Sequence, residues 1–421
     1  METAKLNELA TLINGRAYLM PELQKQGKYR IVRVGNFTGK DEWYYSDMEL
    51  APEKYCEDGD LLFKWACTFG PEYWHGEKSI YHYHIWKVVV NDLLMDKDYL
   101  YYYLKLMTPK WLCATNGSTM VHLTKETMEN EIVSFPSSLG IQKAVAATLR
   151  LLDDAIENNN SICADLEAAA KLLYDYWFVQ FEFPDENGKP YKSSGGKMVW
   201  SDELKREIPA GWNVRQISDL VKIKKGISYK SSEITGGGTP MINLASFNLD
   251  GTYKPSGIKF FSGTVDANRT VDACDLIMCV TQQTDIDLTG RANVIGKAIL
   301  TPDLFDSQVV ISTDVVKLET ETADICFWLE GLFKQAYIHK YIVGYANGTK
   351  IKHLDVYEAL NFFAACPPDD TRVLQRYSSI RATQMELYST LQGEIESLTK
   401  TRDFLLPLLM NGQVTIGDDG K

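Results

Sequence analysis

The chain has 421 residues, of which 45% are hydrophobic and 24% are charged, and its formal net charge at pH 7 is −12. This composition indicates a globular protein of two or three domains, and no run of about 18 apolar residues is present to form a transmembrane helix. The acidity argues against a chain that binds nucleic acid alone, because neutralised phosphates supply most non-specific affinity. A subunit with local basic patches stays compatible with this charge when its partners supply the wider positive field.

The cysteines and the first residues predict a cytoplasmic protein. The eight cysteines are scattered and include no Cys-x-x-Cys pair, which is typical of reduced thiols rather than of a disulfide framework or a zinc site. The segment Met1–Lys5 lacks the apolar core of a secretory signal. We therefore expect a cytoplasmic location, no bound metal and no membrane contact.

Residues 1–138 predict a first α+β domain. Short β-rich runs such as Tyr29–Val34 and Ile85–Val90 alternate with turn residues, and a helix is expected over Asp98–Met107. Aromatic residues are dense in this domain, and the loop Lys64–Gly76 carries Trp65, Tyr73, Trp74 and His75.

Residues 139–182 predict a long helix with a coiled-coil seam. Apolar or small residues recur at intervals of four and three, and the polar Asn159 completes the series at a position that fixes register. The alternative is an amphipathic helix on its own domain, but a length of roughly 60 Å and a second copy favour the coiled coil. The apolar seam residues are Ile141, Val145, Leu152, Ile162, Leu166 and Leu173.

The rest of the chain repeats this order. A polar linker over residues 183–207 leads to a second α+β domain over 208–371, a second long helix over 372–412 and a tail over 413–421. The second seam is interrupted by Gln384, Glu394 and Thr401. Its apolar members are Tyr377, Ile380, Leu387, Leu391, Leu398 and Leu405.

An internal duplication underlies this order. The segment Asn116–Leu123 returns as Asn347–Leu354 at an offset of 231 residues, without a gap. Shorter matches with offsets of 210 to 215 residues are Leu9–Gly15 with Leu220–Gly226, Arg30–Phe37 with Pro240–Phe247, and Asp60–Leu62 with Asp275–Ile277. The duplication predicts an α+β protein in which two similar β-rich domains alternate with two long helices. We expect the helices to pair as an antiparallel coiled coil with pseudo-two-fold symmetry, which would hold two similar binding surfaces a fixed distance apart.

The common catalytic motifs are absent from the sequence. It contains no phosphate-binding Gly-x-x-x-x-Gly-Lys-Ser/Thr loop, no Gly-x-Gly-x-x-Gly and no Gly-x-Ser-x-Gly elbow. His82 and His84 are interpreted as structural residues of a strand rather than as metal ligands. The Cys366–Asp369 segment lacks the acid or amide and the aromatic residue of an amino-methyltransferase signature, so it is interpreted as a junction between domain and helix. The chain is therefore predicted not to be an enzyme.

Equivalent loops in the two repeats carry residues suited to DNA. Cations bind phosphates, whereas amides, hydroxyls and Arg read base edges, and adjacent glutamines suit adenine. In the first domain the candidates are Lys64, Trp65, Tyr73, Trp74, His75, Asn116 and Ser118. In the second domain they are Lys224, Lys225, Tyr229, Lys230, Gln282, Gln283, Arg291, Asn347, Thr349, Lys350 and Lys352. The alternative for each residue is a solvated surface or a merely structural turn. The case for DNA binding rests on equivalent loops of the two repeats that carry different residues.

Four further motifs are distinctive as a set. They are Ile208–Trp212 (Ile-Pro-Ala-Gly-Trp), the two Asn-Gly-Ser/Thr turns with His-Leu after them, the run from Tyr174 to Gly196, and Leu405–Gly412. Through these motifs the whole chain resembles the specificity subunits of type I restriction-modification systems. The first repeat has no copy of the Ile-Pro-x-Gly-Trp opening.

The resemblance implies a non-catalytic, sequence-specific DNA-binding subunit. Each domain would be a target recognition domain for one half of a split double-stranded DNA site. The long helices would set the gap and dock two methyltransferase subunits, which restriction and translocase subunits would join. S-adenosylmethionine would belong to the methyltransferase, and this chain would bind no cofactor. Two alternatives stay open: a type II-like restriction-methylation enzyme served by a similar subunit, and a protein scaffold, for which DNA would not compete.

Overall fold

A computed structural model describes residues 1–38, 42–114, 123–283, 294–349, 351–368 and 372–416. The chain forms two compact units: unit 1 is Met1–Glu157 with Glu396–Lys421, and unit 2 is Asn158–Ile395. The division falls inside both long helices, so each unit contains one β-rich domain and part of each helix. The sequence pattern, in contrast, separates the helices from the domains. The predicted α+β class is confirmed.

Unit 1 is built on two four-stranded sheets. Its elements are β1 Glu2–Lys5, α1 Leu6–Leu9, β2 Ala10–Asn14, β3 Tyr29–Val32, β4 Tyr44–Ser46, β5 Tyr55–Cys56, β6 Leu61–Lys64, β7 Gly70–Tyr73, β8 Ser79–Tyr81, β9 Ile85–Val90, α2 Lys97–Ala114, α3 Lys125–Glu129 and β10 Ile132–Phe135. The sheets have the orders β2-β9-β6-β7 and β4-β3-β8-β5, and β1 pairs with β10. Both strands and the helix predicted for this domain are confirmed. The core contains Phe63, Trp86 and Trp111, with the Phe63 and Trp86 rings stacked at 6.0 Å.

The two long helices are α4, Leu139–Tyr174, and α8, Arg372–Met410. In unit 2 the Asn159 amide nitrogen donates to Glu394 Oε2 at 3.0 Å, and Gln392 Nε2 contacts Cys163 Sγ at 3.4 Å. Partner numbers fall along α8 as they rise along α4, so the pairing is antiparallel. Asn159 of the first seam therefore bonds to Glu394, one of the three polar residues that interrupt the second seam.

Unit 2 adds larger sheets to the same plan. Its further elements are β11 Met198–Ser201, β12 Arg206–Pro209, β13 Asn213–Gln216, β14 Val221–Lys225, β15 Ile234–Thr235, β16 Thr239–Ile242, β17 Lys259–Phe261, β18 Thr270–Val271, β19 Leu276–Cys279, β20 Thr281–Gln283, β21 Ala298–Leu300, β22 Val309–Ile311, β23 Val315–Thr320, α5 Ala323–Phe333, α6 Ala336–Val343, β24 Ala346–Asn347, β25 Ile351–Leu354, α7 Val356–Ala359 and β26 Phe363–Cys366. The main sheets have the orders β14-β23-β19-β21 and β15-β17-β16-β22-β18, with a third sheet β20-β25-β24.

The predicted duplication is visible in strand pairing. The sheet β2-β9-β6-β7 corresponds to β14-β23-β19-β21, the parallel pair β3–β8 to β16–β22, and the pair β1–β10 to β13–β26. The register also matches, because Asn14 lies opposite Trp86 and Lys225 lies opposite Val316. Even one ion pair is repeated: Lys87 with Asp60 in unit 1, and Lys317 with Asp275 in unit 2. The repeat thus extends from sequence offsets to hydrogen-bond register and to a partly buried ion pair.

The buried row of the long helices differs from the predicted seam. Ile141, Ile380 and Leu387 are 51%, 40% and 44% exposed, so the prediction that they lie in a buried seam is wrong. Arg381 and Tyr388, each one position closer to the C-terminus, are buried in place of Ile380 and Leu387, whereas the predicted Leu391 is buried as expected. Periodicity of apolar residues did not reveal this shift because one member of the row is an arginine.

Arg381 is buried because charges from two other helices surround it within unit 2. Its Nη2 lies 3.2 Å from Glu330 Oε1 on α5, and the same oxygen lies 2.5 Å from Lys334 Nζ. Lys334 also pairs with Glu167 of α4 at 2.5 Å. Burial raises the pKa of Glu330, but the charges of Lys334 and Arg381 outweigh it and lower that pKa. This charge cluster ties α5 to both long helices.

The predicted linker is a folded segment. Residues 198–209 form the antiparallel hairpin β11–β12, which the sequence did not predict. Ahead of it, the Phe183 ring stacks on Trp212 at 5.2 Å and on Tyr191 at 4.6 Å. Aromatic packing therefore holds this polar stretch against unit 2. In the described ranges, no helix combines the length and apolarity needed to cross a membrane.

Candidate nucleic-acid interface

The sheet β20-β25-β24 brings together two segments that the sequence marks separately. In the ladder, Gln282 lies opposite Lys352 and Thr281 lies opposite His353. Asn347 on β24 pairs with His353 from the other side. The glutamine segment and the second Asn-Gly turn therefore form one surface of unit 2.

A cleft of about 420 Å³ opens beside this sheet. Its polar or charged lining residues are Lys225, Thr281, Thr313, Asn347, His353 and Asp355, and its apolar lining includes Ile223, Val280 and Val316. Tyr357 stands exposed at its edge. A concave surface with convergent hydroxyl, amide, imidazole and ammonium groups is suited to phosphate and base-edge contacts.

Lys224 and Lys225 of β14 differ in availability because successive side chains point to opposite faces of a strand. Lys224 Nζ forms a 2.6 Å ion pair with Glu319. Lys225 lies on the cleft side and is exposed, and it has no ion pair within the part of the chain that is described. The acidic lining residue, Asp355, accepts the backbone N–H of Glu358 at 3.3 Å and thereby caps α7.

The corresponding region of unit 1 is aromatic. Trp65 stacks on the buried Trp86 at 5.6 Å, and its indole nitrogen donates to the Tyr83 carbonyl at 2.8 Å. The Trp65 ring also contacts the rings of Tyr83 at 5.9 Å and His84 at 5.1 Å.

Comparison with known proteins identifies a family that this chain resembles. Residues 1–168 match the family described as type I restriction modification DNA specificity domain. The first β-rich domain and most of α4 therefore match this specificity family.

Named relatives and a solved structure agree with this assignment. The type I restriction enzyme MjaIX specificity subunit of Methanocaldococcus jannaschii is 25% identical over 324 residues, covering 76% of this chain and 69% of that protein. The MjaVIII specificity subunit of the same organism is 28% identical over 244 residues, covering 51% and 54%. A crystal structure of the type I restriction-modification S subunit from M. genitalium has a TM-score of 0.58 at 16% identity, covering 97% of this chain and 95% of that one. This last likeness shows a shared fold.

Two predicted DNA-contact residues of unit 1 are interior. Trp74 is only 6% exposed and its indole nitrogen donates to the Glu77 carbonyl at 3.1 Å. Lys64 is buried and its Nζ lies 3.1 Å from Glu72 Oε2. Their burial contradicts the prediction that they touch DNA.

Other predicted residues of unit 1 are placed as follows. Tyr73 is half-buried with its hydroxyl on Asp98, and burial together with that hydrogen bond raises its pKa. His75 is exposed, with Nδ1 3.5 Å from Asp58, and stays a prediction. Asn116 and Ser118 lie outside the described residues.

The other predicted DNA-contact residues of unit 2 do not line the cleft, or they lie outside the described residues. The Tyr229 hydroxyl accepts from Lys259 Nζ at 3.5 Å, and the exposed Lys230 donates its backbone N–H to Glu233 at 2.6 Å. Thr349 follows Gly348, whose φ of 131° and close approach to the Ile351 carbonyl require glycine. Arg291, Lys350 and the Gln283 side chain lie outside the described residues.

The sequence interpretation missed Thr313, His353 and Tyr357 in the cleft. His353 had a signal, since it belongs to the repeated Asn-Gly-x-x-x-x-His-Leu segment. Thr313 lies in the turn between β22 and β23, where only the repeat offset relates it to Tyr83. Tyr357 had no signal beyond its residue type.

Proposed function

We propose that this chain is the specificity subunit of a type I restriction-modification complex, with one half of a split DNA target read by each recognition domain. The single observation that carries the proposal is that the two domains share the same strand pairing but expose different side chains at corresponding positions. Lys225 and Thr313 line the cleft in unit 2, whereas Asn14 and Tyr83 occupy the corresponding positions in unit 1. A duplication that keeps strand register but changes exposed side chains is expected where two sites recognise different sequences.

In unit 2 we assign contacts by chemistry. Lys225 and Lys352 bind phosphates, because an ammonium group offers a positive charge without base preference. Gln282 contacts an adenine through its amide nitrogen, which can donate to the N7 atom of the base, because its Oε1 is buried. Thr281, Asn347 and His353 supply further donors and acceptors to base edges.

The partners follow from the family. The chain assembles with methylase and restriction subunits, and in this proposal two methyltransferase subunits dock on the long helices. The exposed apolar residues of those helices support docking: Ile141 in unit 1, and Ile380 and Leu387 in unit 2. Adenine methylation, with its S-adenosylmethionine, belongs to the partner, and this chain contributes no catalytic group.

The test is genome-wide adenine methylation mapping in cells with and without this chain, together with its neighbouring methyltransferase. A split motif that disappears with the chain is the expected result, and it also gives the target sequence. Purified methyltransferase complex should then bind that duplex in preference to a scrambled one. A complex that binds both duplexes equally would contradict the proposal and favour a scaffold.

A further inference from the structure

The turn between β8 and β9 in unit 1 has the same backbone bonding as the turn between β22 and β23 in unit 2. Tyr83 donates its backbone N–H to the Arg16 carbonyl at 3.0 Å, and Thr313 donates to the Ile227 carbonyl at 2.9 Å. Both side chains are exposed. Tyr83 is therefore the structural counterpart of Thr313, which lines the unit 2 cleft.

Trp65 has a counterpart in the same cleft. Its backbone N–H donates to the His84 carbonyl at 3.1 Å, and that of Val280 donates to the Asp314 carbonyl at 2.8 Å. Val280 also lines the cleft. Trp65, Tyr83 and His84, which we name the aromatic surface, therefore occupy in unit 1 the position of the unit 2 cleft wall.

The aromatic surface extends the core and does not protrude from it. Trp65 lies nearly parallel to the buried Trp86, at an interplanar angle of 18°, and Tyr83 is 38% exposed. A side chain that inserts between base pairs would have to project freely, whereas these rings pack edge to face on one another. The geometry suits contact along the edge of a base pair.

The chemistry of this surface differs from that of a phosphate site. Trp65 and Tyr83 contribute an indole and a phenol to this surface, and Asn14 replaces the cleft lysine of unit 2. Behind them, burial followed by the nearby His84 and Arg33 lowers the pKa of His82 to about 4, which keeps that imidazole neutral. An apolar surface distinguishes bases chiefly through the C5 methyl group of thymine, which the other bases lack in the major groove.

We infer that the aromatic surface contacts thymine methyl groups in the half-site read by unit 1, which makes Tyr83 and His84 specificity-determining residues. This inference rests on the proposed function. A single methyl contact corresponds to about a three- to fivefold change in affinity, from about 0.8 kcal/mol per buried methylene-sized group.

The experiment uses the full chain in its methyltransferase complex and the duplex found by methylation mapping. Each thymine is replaced in turn by deoxyuridine, which removes only the methyl group. At least one replacement in the half-site selected by residues 1–138 should weaken binding three- to fivefold. Tyr83→Ala should bind the thymine and deoxyuridine duplexes equally, Tyr83→Phe should keep the difference, and the matched variant Thr313→Ala should leave it unchanged.

The outcomes separate the inference from the function on which it rests. A complex that keeps its split target but ignores deoxyuridine in this half-site overturns the inference alone. So does a Tyr83→Ala complex that still distinguishes the two duplexes while its circular dichroism matches the parent chain. A complex without any split target refutes the proposed function itself.

Discussion

Replacing Glu330 by alanine tests the charge cluster that ties α5 to the long helices within unit 2. The substitution removes the carboxylate that contacts both Arg381 at 3.2 Å and Lys334 at 2.5 Å. Glu330 and Arg381 side chains are each only 2% exposed, so water cannot replace the lost partner. Two cations would remain close together in a site with one carboxylate fewer.

The structure sets the size of the effect. Breaking a buried ion pair by removing one partner costs about 3–5 kcal/mol, because an uncompensated charge stays buried. Lys334 keeps Glu167, and Arg381 keeps a 2.8 Å hydrogen bond to Gln384, so we expect a loss of about 3 kcal/mol. The double variant Glu330→Leu with Arg381→Met should be clearly more stable than Glu330→Ala, since an apolar pair leaves no unpaired charge at these positions.

The assay is urea unfolding followed by circular dichroism, with hydrogen exchange of Ala323–Phe333 as the local readout of unit 2. Local exchange is needed because two compact units need not unfold as one. Glu396→Ala on α8 is the control, since its pair with Lys400 is exposed and its loss should cost at most about 0.5 kcal/mol. A loss below about 1 kcal/mol for Glu330→Ala, or a double variant no more stable than the single one, would refute the reasoning.

Four other predictions concern unit 1, the spacer and the two recognition domains. In unit 1, burial raises the pKa of Asp153, but its interactions with Arg402, Lys105 and Tyr102 outweigh burial and lower that pKa. The stability that this carboxylate contributes should be complete above about pH 5 and should fall as the pH drops below the unfolded pKa of about 3.9. In acid unfolding, Asp153→Asn should therefore lose less stability between neutral and low pH than the parent chain does. Removing seven residues from α4, with a matching seven from α8, shortens each helix by about 10 Å, which is the length of about three base pairs of DNA. Methylation mapping should then show a different number of base pairs between two intact half-sites. An unchanged number would contradict the role of the helices as a spacer. Exchanging residues 1–138 for those of another family member should alter one half-site only, and alteration of both would disprove independent reading. Gln282→Ala should reduce discrimination at one base pair by about 1–3 kcal/mol in competition binding, whereas an equal loss on every duplex would assign it to the DNA backbone.

Much of the fold was predictable because the duplication preserves local patterns of strand and turn residues. Strand alternation and turn residues recur at nearly fixed offsets, so Leu9–Gly15 and Leu220–Gly226 match by residue pattern alone, and they fall on equivalent strands β2 and β14. The antiparallel helix pair followed from two long apolar periodicities and the polar interruptions within them.

The remainder depended on contacts between residues far apart in the chain. Arg381 joins the buried row only because Glu330 lies beside it, and no periodicity within α8 contains that information. The sequence marked Trp74 by residue type, but which side of the domain it faces is decided by packing against Trp43 and Phe37. Gln282 and Lys352 meet through a strand pairing between distant segments, so only three-dimensional structure shows that they share one surface.

Gly15 and Gly226 affect the proposed sequence reading through the turns that they contact. A Cβ at Gly15 would lie 2.3 Å from the His82 carbonyl oxygen, and one at Gly226 would lie 2.1 Å from that of Ser312. Each glycine thus sets the height of a turn, the first carrying Tyr83 and the second carrying Thr313. A methyl group added at either position would push the turn outward by tenths of an ångström or more. New target preferences can therefore arise during evolution from a change beneath the surface, with every side chain that faces the double helix left as it was.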